Sequence, residues 1–67
     1  MDPEIAEMLG RVPVEQRDRA WEMLGDYRRR CLLAVAAPDA TEADRRAEIA
    51  RHTEAFRADL RAMVGPG

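Results

Sequence analysis

Apolar residues recur at alternating four- and three-residue steps along two long stretches of this chain, Val14–Ala37 and Thr41–Val64. In the first, Ala20, Leu24, Tyr27, Cys31 and Ala34 form a stripe that Trp21 and Val35 widen. In the second, Ile49, Phe56 and Met63 fall seven residues apart, with Thr53 and Leu60 between them. Both patterns predict amphipathic helices. Only Ala37-Pro38-Asp39-Ala40 separates them, and so short a link folds two helices back antiparallel.

A short lead segment precedes this hairpin. Asp2-Pro3-Glu4 supplies a side-chain cap, a proline for the first helical position and an acid for the first turn. Ile5, Met8 and Leu9 fall on one side of a two-turn helix over Pro3–Leu9, and Gly10 is placed to end it. The predicted organisation is a lead helix in 1–12, a hairpin in 13–64 (helices 14–37 and 41–64) and a flexible tail in 65–67. Pro13 opens the first long helix. Asp39 with Glu42, or Thr41 with Asp44, opens the second. Gly25, inside the first, costs about 1 kcal/mol relative to alanine and marks either a kink or a close approach of another backbone.

Two features predict more than a lone hairpin. From Cys31 to Ala37 the first helix is apolar nearly all round, more than one neighbouring helix can cover. The chain is also short, 67 residues with three aromatics and a single cysteine. Cores of this size seldom leave more than about 3–5 kcal/mol of net stability without a disulfide, a metal or a partner. The expected fold class is all-α: an antiparallel helical hairpin with a short N-terminal helix, assembling as a dimeric four-helix bundle.

Charge narrows the partners. The net charge is −2, and no segment holds the positive excess of a protein that grips a phosphate backbone. The longest apolar run is far short of a membrane span. No secretory pattern is visible, and the lone cysteine agrees with a cytoplasmic setting. Every basic side chain is arginine, and serine and asparagine are also absent. A Gly-Lys-Ser/Thr phosphate loop, a Schiff-base lysine and a serine nucleophile are therefore excluded.

Few residues offer chemistry. Arg28-Arg29-Arg30 is the one basic run, but consecutive helical residues point roughly 100° apart and make no stripe. Arg30 is placed to pair with Asp26, as Arg19 is with Glu15 and Arg46 with Glu42. His52, the single histidine, has Glu48 one turn before it and reads as a surface side chain. Cys31 lies on the apolar seam and reads as a small buried hydrophobe. Asp18 with Glu22, and Asp44 with Glu48, place carboxylates one turn apart on the solvated faces, without the inward-facing pattern of a di-metal site. We expect no catalytic residue, no metal and no cofactor.

The sequence thus points to a small non-catalytic module that regulates, tethers or chaperones a larger protein. Its expected partner-binding residues are Met8, Leu9, Trp21, Arg28, Leu32, Leu33 and Val35, with Trp21 and Arg28 as the energetic anchors. The alternative is a nucleic-acid-associated helical dimer, antitoxin-like or transcription-associated, using Arg28–Arg30. A further alternative is an accessory subunit of an enzyme complex.

Overall fold

Prolines set where the first helix begins and where the first two helices end. The structure, a computed structural model, describes residues 2–65, and the last two residues of the expected tail lie outside them. Three α-helices follow in order: α1 over Pro3–Arg11, α2 over Arg17–Ala36 and α3 over Glu42–Val64. No strand occurs among the described residues.

α1 begins as expected, with the Glu4 backbone N–H donating to the Asp2 carboxylate at 2.8 Å and Pro3 in the first turn. It does not end at Gly10. It continues to Arg11 and stops at Val12, whose extended backbone (ψ 131°) is the conformation demanded of a residue before proline. The same constraint ends α2 at Ala36 rather than Ala37, since Ala37 precedes Pro38 and is extended (ψ 119°). The start of α2 also differs from expectation. Pro13 is extended, and Val14–Gln16 tightens into a 3₁₀ turn in which the Gln16 N–H donates to the Pro13 carbonyl at 2.9 Å.

Of the two candidate starts for α3, Thr41 with Asp44 is the one formed. The Asp44 N–H donates to Thr41 Oγ1 at 3.1 Å and the Thr41 N–H donates to Asp44 Oδ2 at 3.2 Å, a complete capping box. Arg45 reaches back across the turn and donates to the Ala37 carbonyl at 2.9 Å, satisfying an orphan acceptor at the end of α2. Gly65 closes α3 at φ 84°, a left-handed conformation that favours glycine.

α2 and α3 pack antiparallel, and α1 packs against α3 over one half only. The core is Ile5, Met8 and Val12 from the lead segment, Ala20 and Leu24 from α2, and Phe56 and Leu60 from α3. Every one of these belongs to the half away from the Pro38 turn. Ionic contacts hold α1 there. Arg57 pairs with Asp2 and lies 3.8 Å from Glu4, while Arg61 bonds Glu4 at 2.9 Å. The molecule is thus a three-helix bundle at one end and a bare two-helix hairpin at the other, 41 Å long and 19 by 16 Å across.

Candidate interaction surface

At the turn end, the stripe that is buried lower down is only half covered. Tyr27, Cys31, Ala34, Ile49 and Thr53 are each partly exposed, although they continue the spacing of Ala20, Leu24, Phe56 and Leu60. Tyr27 marks the boundary between the two halves. Its ring stacks on Phe56 with centroids 4.8 Å apart, and its hydroxyl is 2.9 Å from Thr53 Oγ1.

One residue along from this stripe runs a second one. Trp21, Gly25, Arg28, Leu32 and Val35 follow each other at four- and three-residue steps, turned roughly 100° from the core direction. Sequence spacing places Trp21 and Val35 at the margin of the core stripe. In the structure both face solvent, with Trp21 64% and Val35 54% exposed. Leu32 at 69% and Leu33 at 65% are likewise open. Single exposed apolar residues are ordinary on a protein surface, but four large ones on one 20-residue helix are not.

The expected binding residues do not form one surface. Trp21 sits at a concavity made by Leu9, Gly10, Val12, Arg17 and Ala20, where α1 meets the start of α2. Arg28, Leu32 and Val35 border a groove floored by Tyr27, Cys31 and Ile49, on the same flank of α2 but beyond the reach of α1. Leu33 lies on the opposite flank, in a shallow groove with Arg30, Ala34, Ala37, Glu48 and His52. Met8 is not at the surface at all. It turns inward beside Ile5 and is a core residue, and Leu9 packs partly against that core. Their spacing of three and four residues from Ile5 places them on one side of α1 without saying whether this protein or another covers it.

The basic run behaves as its geometry requires. Arg28 lines one groove and Arg30 the opposite one. Asp26 pairs with Arg29 at 3.7 Å, not with Arg30 as spacing had indicated. No ion pair joins Glu15 to Arg19 among the described residues, whereas Glu42 and Arg46 pair at 2.6 Å. No continuous basic stripe results.

The groups with chemical potential are dispersed. His52 Nε2 lies 3.1 Å from Glu48 Oε2, and Arg51 engages Oε1 of the same carboxylate. Asp44 is committed to the α3 cap, and Asp18 and Glu22 are exposed. Cys31 is half-buried on the flank opposite His52. No group of three His, Cys, Asp or Glu side chains converges on a metal position among the described residues. No helix among them is long and apolar enough to cross a membrane.

The strongest electrostatic feature is structural. The Arg57 guanidinium, by its hydrogen bond first and the Glu4 N–H second, holds the Asp2 carboxyl below the ordinary aspartate value, and Asp2 raises Arg57 in return. This ion pair joins residues 55 positions apart. No short-range sequence signal reveals it.

Comparison with protein-family models, curated proteins and solved structures returns no match. The functional reading rests on the surface just described.

Proposed function

We propose that this chain is a small non-catalytic protein–protein interaction module that regulates, tethers or chaperones a larger protein in the cytoplasm, and that it works as a dimer completing a four-helix bundle. The observation that carries the reading is the exposure of Trp21, Leu32, Leu33 and Val35 along α2. Interfaces are anchored by tryptophan and arginine set in apolar surroundings. Trp21 and Arg28 lie seven residues apart on one flank of α2, with Leu32 and Val35 beyond them. Trp21 beside Leu9, Val12 and Arg17 is the better site for the larger partner, because the surrounding concavity is built by two elements already fixed in place.

Affinity capture from the native cytosol tests this, run in parallel with the wild-type chain and Trp21→Glu. The reading expects one protein retained in stoichiometric amount by the wild type and lost by the variant. Equal retention by both, or retention of nothing, overturns it.

A further inference from the structure

We infer that the flank of α2 from Arg17 to Val35 takes an acidic amphipathic helix of the larger protein, whose carboxylates pair with Arg17 and Arg28 while its apolar side covers Trp21, Leu32 and Val35. The inference rests on the interaction-module reading and names the chemistry of the partner.

Charge decides it. Arg17 and Arg28 are exposed and eleven residues apart, which on a helix is about three turns and points them within roughly 20° of each other. Neither has an acid three or four residues away in either direction. Neither makes an ion pair among the described residues. The two hollows on this flank, at Trp21 and at Leu32, are lined by no other charged residue. The opposite flank is mixed, since Arg19 and Arg30 each border a groove with Asp59.

Position makes that charge matter. Arg28 stands between Trp21 and Leu32, which are 64% and 69% exposed, so an occupant of the apolar surface also covers the guanidinium. A guanidinium covered and left unpaired is strongly destabilising. The occupant must therefore bring a carboxylate, which arginine receives in bidentate geometry. The same flank of a second copy brings arginine and no acid, and does not fit.

A helix meets both requirements. Gly25, between Trp21 and Arg28, leaves open space above α2 in which a second helix can come close. Acids three turns apart, with apolar residues between them on the same face, match the order Arg17, Trp21, Gly25, Arg28. α1 already shows this mode within the chain: Asp2 and Glu4 meet Arg57 and Arg61 while Ile5 and Met8 enter the core.

Titration of the full chain with synthetic helical peptides tests the inference, read by the fluorescence of Trp21, the single tryptophan. Three peptides share leucines at i+4 and i+7 and differ only at i and i+11, which are both Glu, both Gln or both Lys. The Glu peptide is expected to bind about tenfold more tightly than the Gln peptide, and the Lys peptide more weakly still. Arg17→Gln with Arg28→Gln is expected to abolish the preference for Glu over Gln. Arg19→Gln with Arg30→Gln, the same change of net charge on the opposite flank, is expected to leave it intact. Arg28→Gln alone, expected to lose part of the preference, stands in should the first double variant not fold. Equal binding of the three peptides, binding of none, or equal loss in the two double variants overturns the inference. So does a DNA oligonucleotide that displaces the Glu peptide from wild type but does not bind Arg17→Gln with Arg28→Gln, which assigns the flank to nucleic acid. Capture of a larger protein through Trp21 that is indifferent to Arg17→Gln with Arg28→Gln overturns the acidic helix alone and leaves the module reading standing.

Discussion

Tyr27 stacks on Phe56 with its ring plane 19° from parallel, and its hydroxyl closes a short relay into the backbone of α3. Thr53 Oγ1 donates its single proton to the Ile49 carbonyl at 2.8 Å. The Tyr27 hydroxyl, 2.9 Å away, is therefore the donor to Thr53 Oγ1. The pair locks α2 to α3 where the three-helix half gives way to the open hairpin. Tyr27→Phe keeps the stack and removes the bond, and is expected to cost about 0.5–1.5 kcal/mol. Thr53→Val is expected to cost more, since it strands the Tyr27 hydroxyl in a half-buried site. Urea denaturation of the two variants and their double mutant checks this, with a shared relay appearing as strong non-additivity.

Leu60 is fully buried, and the half of the molecule it occupies holds the whole core. Leu60→Ala is expected to remove about 2–5 kcal/mol. That approaches the roughly 3–5 kcal/mol such a small core provides. The variant should be largely unfolded at 25 °C by circular dichroism. Trp21→Glu, by contrast, is expected to change stability by no more than about 0.5 kcal/mol, as exposed positions do. A large loss for Trp21→Glu would return that residue to the core.

The core stripe of α2 and the heptad of α3 were legible because spacing alone decides which residues share a helix face. Proline placement carried the helix ends, and the error at Gly10 came from reading glycine as the stop when Val12, before Pro13, was the constrained residue. The unequal covering of the hairpin was not legible. Tyr27, Cys31 and Ala34 continue the spacing of Ala20 and Leu24 without a break, so nothing local distinguishes the covered half from the open one. What distinguishes them is the docking of α1, held by Asp2 and Glu4 against Arg57 and Arg61, and pairs so distant in sequence leave no periodic trace. Trp21 and Val35 joined the stripe on apolar character, while their angular offset already placed them on its flank.

The Asp2–Arg57 pair makes α1 docking sensitive to acid. Asp2 is held below its ordinary value of about 3.9, so the folded state binds its proton less readily than the unfolded chain. The stabilisation is fully present above that ordinary value and is lost as the pH falls through the lowered one. Asp2→Asn retains a good helix cap but removes the charge. Urea midpoints are expected to be lower for Asp2→Asn than for wild type at pH 7, with the gap closing as the pH falls through the lowered value and Asp2 itself becomes protonated. A gap that persists undiminished in acid would assign the effect to packing rather than to charge.

Gly25 offers the opposite sign. It lies inside α2, and a methyl group added there meets no atom within 4 Å. Neither a strained backbone nor a crowded neighbour within the protomer requires glycine. Gly25→Ala should therefore stabilise the protomer by about 0.5–1 kcal/mol, through helix propensity and a less flexible unfolded chain. Gly25 also sits between Trp21 and Arg28 on the exposed flank, and the proposed module reading brings a partner's backbone closest there. Thermal denaturation and capture of the larger partner thus read different things at this one position. The module reading expects a raised melting temperature together with weakened capture. A variant that gains stability and captures its partner unchanged would show that the partner does not approach α2 at Gly25, confining its footprint to the Trp21 concavity.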